Sequence, residues 1–165
     1  MEKTGLEKGG IYRHFASKEE LAVAAFDYAW EATKQSRIRA IEKLASPLAK
    51  LRGMVIDFAD RPSITPGGCP LLNTAIDSDD GNPALRAHAR TALRGWIARL
   101  EELLREGMDA GEIRKDIDPP AIASLLISTL EGSIMMSRLL ANHSPLQSAC
   151  QQLEKVLDEI AVSSH

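Results

Sequence analysis

Cysteine is nearly absent. Cys69 and Cys150 stand far apart, with no C-x-x-C pair and no histidine at metal-ligand spacing, which argues against a zinc-type site. Two isolated thiols fit either a reducing compartment or a protein indifferent to redox. An excess of basic charge is also missing: the net charge is -3 and the isoelectric point near 5.8. That balance argues against generalised nucleic-acid binding and leaves only a local site open. No apolar run reaches the roughly eighteen residues of a membrane span, because Ser124, Ser128, Glu131 and Arg138 interrupt the best stretch. The first residues lack the basic-then-apolar profile of a signal peptide, so the expected location is the cytoplasm. Catalytic signatures fail as well. There is no G-x-S-x-G, no G-x-x-x-x-G-K-[ST] and no cysteine near a histidine. The paired acids Asp79-Asp80 and Glu101-Glu102 point apart as ordinary solvated charge, so the sequence reads as a non-enzyme.

What remains is helical periodicity with short punctuation and no credible strand, which predicts an all-α fold. Ser17 caps a helix running to about Leu44, with Leu21, Ala24, Ala25, Tyr28, Ala29 and Ala32 as its apolar stripe. Ser46-Pro47 starts a second helix, bearing Leu48, Leu51, Val55 and Phe58, and Arg61-Pro62 ends it. Residues 63–68 form a loop by composition, and Cys69 to Ile76 a short helix. A long helix from Pro83 carries Leu85, Ala89, Leu93, Trp96, Ile97, Leu100, Leu103 and Leu104, with Gly107 and Gly111 marking its end. Asp118 is expected to cap the next, apolar on several sides and so buried on more than one face. Ser144-Pro145 opens the last helix, with Leu146, Cys150, Leu153, Leu157 and Ile160 at regular spacing.

The run Asp77 to Pro83 invites a calcium reading and fails it. A helix-loop-helix calcium site needs glycine at loop position 6 and glutamate at 12, whereas here Gly81 falls at 5 and His88 at 12. An acidic turn with Asn82 as the helix cap accounts for the segment. His88 and His143 are expected to face solvent or to cap, and no metal or other cofactor is expected.

The most specific chemistry lies in residues 5–21. Gly5 can close a tight turn, and a short helix would follow with the donors Lys8, Tyr12, Arg13 and His14 on it and Ile11 and Phe15 as apolar anchors. Gly9 and Gly10 each cost about 1 kcal/mol against alanine in a helix interior. They mark either a loose helix start or a backbone that must approach a phosphate or base edge. Ser17 with Glu20 makes an S-x-x-E capping box. Lys18 in the first turn is unfavourable against the helix dipole unless a phosphate sits there.

Gly5, Lys8, Gly9, Ile11, Tyr12, His14, Phe15, Ser17, Lys18, Glu19 and Leu21 together resemble the second half of the helix-turn-helix of the TetR (tetracycline-repressor) family. The resemblance implies that Lys8, Gly9 and Gly10 open a recognition helix in the major groove while Tyr12, His14 and Lys18 meet the phosphate backbone. It implies residues 1–17 as the C-terminal part of the DNA-binding domain and 18–165 as a helical ligand-binding and dimerisation domain. The family carries two further helices, roughly forty residues, ahead of this motif, and four residues precede Gly5 here. The intact protein is therefore expected to bind DNA and this chain to bind poorly.

The expected function is a ligand-responsive repressor released from operator DNA by a small-molecule inducer; the alternative is a helical dimeric ligand-binding or interaction module without DNA binding in this form. The homodimer is expected through the helices at about 119–142 and 145–162. Phe58, Cys69, Leu72, Trp96, Leu100 and Met135 are candidates for the inducer pocket, though each taken singly reads more readily as plain core.

Overall fold

The computed structural model describes residues 14–61, 68–77 and 81–162, and among them finds six helices and no strand. They are α1 Lys18–Ile41, α2 Pro47–Asp60, α3 Pro70–Asp77, α4 Pro83–Asp109, α5 Pro119–Leu139 and α6 Ser144–Ile160. The residues 78–80 of the acidic turn and 62–67 of the loop lie outside the described residues.

Three starts follow from local chemistry. Ser17 Oγ accepts from the Glu20 amide, Ser46 Oγ from the Ala49 amide, and Asn82 Oδ1 from the Leu85 amide, satisfying backbone donors that a helix leaves orphaned. Glu20 reaches back one residue further than the usual box, accepting from the Ala16 amide at 2.6 Å. Asp118 holds the N-cap position of α5 without a side-chain cap bond. Pro119 and Pro120 remove the first two amides, so little is left for its carboxylate to accept. The α4 exit is a Schellman turn: Gly111 has φ +73°, its amide donates to Met108 O, and the Glu112 amide donates to Gly107 O. Ile113 packs where a Cβ on Gly107 would lie, and the bonds Arg114 N to Ile160 O and Val162 N to Glu112 O clip this turn to the end of α6.

The core gathers α2, α4, α5 and α6 around Leu51, Val55, Leu103, Leu104, Leu126, Leu130, Leu153 and Leu157. α5 packs against α4 and α6, while α1 lies across α4, α2 and α3. Contrary to the sequence expectation, α5 is long and apolar enough by length and composition to cross a membrane, with a mean hydropathy of 1.3 over eighteen residues. In this fold it is the helix between α4 and α6, with Leu126 and Leu130 sealed in the core.

The inward face of α1 differs from the expected stripe. Tyr28 is 80% exposed, whereas Phe26 is buried and Trp30, Thr33 and Arg37 follow it inward. Alanine-rich helices offer several weak stripes, and the large ring at Phe26 outweighs a run of methyl groups when α1 docks on α3 and α4.

Candidate functional site

Between α1, α2, α4, α5 and the start of α6 lies a cavity of about 940 Å³, at the upper end of the range for small-molecule sites. α1 contributes Trp30, Thr33 and Arg37; α2 contributes Met54, Asp57 and Phe58; α4 contributes Thr91, Trp96 and Leu100; α5 contributes Glu131 and Ile134. Of the six sequence candidates, Phe58, Cys69, Trp96 and Leu100 are brought together in this wall. Leu72 is half-buried on α3 and is not part of it, and Met135 is 41% exposed on another face of α5. The correction at Met135 is one of phase. Glu131, Ile134 and Arg138 turn one side of α5 to the cavity, and position 135 lies about 40° beyond Glu131 on the far side from Ile134, at the edge that turns outward.

The wall is built on a ring stack. Phe58 lies parallel to Trp96 at 5.8 Å between centroids, and Trp30 leans on Trp96 at 6.1 Å. The Arg37 guanidinium sits 4.2 Å above the Phe58 ring, a cation–π contact. From there its Nη1 donates to Asp57 Oδ2 at 2.5 Å and to the Asp57 carbonyl at 2.8 Å. Arg61 Nε donates to the other carboxylate oxygen and its Nη2 to the Ser36 carbonyl. The buried Asp57 is thus neutralised from both sides, the condition under which a buried charge is tolerated. His88 and His143 are both exposed, as expected, and neither caps through its side chain; His88 Nδ1 meets Asp27 Oδ1 at 2.9 Å, joining α4 to α1 at the cavity edge.

Glu131 is different. It is 9% exposed, and neither carboxylate oxygen meets an N–H or O–H donor among the described residues, which leaves the weak Cys69 thiol as its hydrogen-bonding neighbour. Burial pushes its carboxyl above the usual range, offset only in part by Cys69 and by the charge of Arg37. The neighbouring Cys69 thiol is pushed up to about 12, first by burial and then by Glu131 itself. Cys69 therefore stays a thiol, a poor nucleophile and a poor metal ligand. No group of three or more His, Cys, Asp or Glu among the described residues could hold a metal ion.

Sequence reasoning missed Trp30, Arg37, Asp57 and Glu131. The 26–30–33–37 spacing was a usable helical signal for the first two. A single acid inside an apolar run was the signal for Glu131.

At the other end of α1, His14 and Lys18 are exposed, Lys18 in the first turn beside the Ser17 cap. Lys8, Gly9, Gly10 and Tyr12 lie outside the described residues.

Residues 46–153 match the family model described as tetracyclin repressor-like, C-terminal domain, and residues 1–25 match bacterial regulatory proteins, tetR family. The chain belongs to the TetR family. Among solved TetR structures, a regulator from Chloroflexus aurantiacus J-10-FL is 40% identical with a TM-score of 0.91, over 99% of this chain and 84% of that one. A TetR-family regulator from Cytophaga hutchinsonii is 34% identical with a TM-score of 0.92, over 99% and 82%. The HTH-type transcriptional repressor DhaR of Mycobacterium sp. strain GP1 is 24% identical over 143 residues, which are 84% of this chain and 70% of DhaR. As a TetR-family member the chain is a transcriptional regulator and not an enzyme.

Proposed function

We propose that this TetR-family chain is a cytoplasmic, homodimeric repressor that a small molecule entering the 940 Å³ cavity releases from operator DNA. The observation that carries the reading is that α1 serves both ends. Its 24 residues, about 36 Å at 1.5 Å each, begin at Lys18 beside the DNA-reading motif and form cavity wall from Asp27 to Ile41. A ligand that favours one tilt of α1 thereby favours one separation of the two recognition elements, and its effect equals its differential affinity for the two states. Residues 1–17 would be the DNA-reading end and 18–165 the ligand-binding and dimerising body, with Lys8, Gly9, Gly10, Tyr12, His14 and Lys18 meeting DNA. The outer face of α5 supports a dimer: Leu125, Met135, Met136 and Leu139 are exposed around the small residues Ser128 and Gly132. α6 turns its apolar stripe into its own core and shows Gln147, Gln151, Gln152 and Lys155 outward, so it would supply the polar rim.

The test is fluorescence anisotropy on DNA from upstream of the protein's own gene, with this chain and with a form extended upstream of Met1. The logarithm of the binding constant should fall linearly with that of salt, and Lys18→Ala should weaken binding on every sequence and flatten the slope by about 1. Failure of the extended form to bind any such fragment refutes the DNA-reading role.

A further inference from the structure

A buried carboxyl that meets only a weak thiol donor costs folding free energy, and Glu131 is part of the cavity wall, so a turn of its side chain would bring the carboxyl oxygens from just beneath that wall to a bound molecule. Most of the other charges around this cavity are already paired. Arg37 and Arg61 are held by Asp57, Lys34 by Glu31, Arg99 by Glu102 and Glu106, and Asp27 meets His88, while Arg138 lies over Gly68 without an ion pair among the described residues. An acidic ligand would find Arg138 as its one unpaired arginine or lysine, on the same helix as the opposing Glu131. A basic one would find the Glu131 carboxyl in the same wall as the aromatic rings. The Trp30 and Trp96 rings add an apolar surface whose negative faces favour a cation.

We propose that the cavity takes an amphipathic amine: a protonated nitrogen whose N–H groups bond the Glu131 carboxylate, on an apolar body lying against Trp30, Phe58 and Trp96. This rests on the reading of the cavity as the effector site and names the chemistry of the effector. The bond to a carboxylate is charge-assisted, and such bonds are roughly twice as strong as their neutral counterparts.

The chain's two tryptophans, Trp30 and Trp96, both line the cavity, so their fluorescence reports occupancy directly. Three matched probes are titrated: 4-phenylbutylamine, 4-phenylbutan-1-ol and 4-phenylbutyrate. The amine should bind at least about tenfold tighter than the alcohol and the carboxylate weakest, and Glu131→Gln should bring amine and alcohol to within about twofold. The variant's thermal transition, measured alongside, establishes that it is folded. Tightest binding by the carboxylate, or an amine preference that survives Glu131→Gln, overturns the amine assignment while leaving the cavity an effector site. Fluorescence that responds to none of the three removes both readings.

Discussion

Glu131→Gln should make the protein more stable, and increasingly so as pH rises. The substitution keeps the shape and removes the charge. In the wild type the carboxyl is buried with no N–H or O–H donor among the described residues and only the weak Cys69 thiol beside it, and burial holds its proton above the usual value of 4.5. The unfolded chain releases that proton near 4.5, so it binds fewer protons than the folded chain over the interval above it. Stability contributed by this group is therefore complete below the unfolded value and declines as pH climbs through the folded value, by about 1.4 kcal/mol for each unit separating the two. Leaving such a group unsatisfied costs on the order of 1–3 kcal/mol, and that range bounds the gain. For a domain of this size each kcal/mol is worth about 2–4 °C in melting temperature. Paired urea denaturations of wild type and variant at pH 4, 5.5, 7 and 8.5 should give stability curves that meet at the acid end and part above it. The variant should be ahead by about 1–3 kcal/mol at pH 8.5. A variant less stable than wild type at pH 8.5, or a difference independent of pH, would refute the orphaned-acid argument.

Three other substitutions test separate parts of the fold. Asp57→Ala leaves Arg37 and Arg61 without their shared acceptor and should cost about 3–5 kcal/mol in urea denaturation; a cost below about 1 kcal/mol would mean that the cluster is solvent-screened. Ala141 ends α5 with φ +47°, a conformation that suits glycine, so Ala141→Gly should stabilise by about 1 kcal/mol in the same assay. Leu139, 79% exposed on the outer face of α5, would lie inside the proposed dimer, and Leu139→Glu should give a monomer by light scattering with unchanged helical circular dichroism.

Element type and boundaries were legible because they depend on neighbours in sequence. The caps at Ser17, Ser46 and Asn82 and the first-turn prolines act within four residues, and the starts read from them coincide with the helices. The buried stripe of α2, Leu51, Val55 and Phe58, was equally clear, since three large side chains at one spacing leave little choice of face. α1 was harder. Its alanines gave no decisive direction, and Tyr28, placed inward by that reading, points to water. On α5 apolar residues occupy nearly every side, so periodicity could not tell the core face of Leu126 and Leu130 from the outer face of Met135 and Leu139.

The acids mark a deeper limit. Read along the chain, Asp57 and Glu131 are the same event, a carboxylate interrupting an apolar helix. Their difference lies in residues far away in sequence. Arg37 crosses from α1 to satisfy Asp57, whereas Glu131 meets only the weak donor of the Cys69 thiol, which burial itself keeps protonated. A pattern can register that an acid breaks the stripe, but only packing decides whether a partner arrives. Where one arrives, the acid locks two helices together, as Asp57 does for α1 and α2. Where only a weak donor arrives and the acid stands in a cavity wall, the unmet hydrogen-bonding capacity is available to a molecule from outside the fold. That distinction makes Glu131, rather than Asp57, the residue on which ligand chemistry should turn.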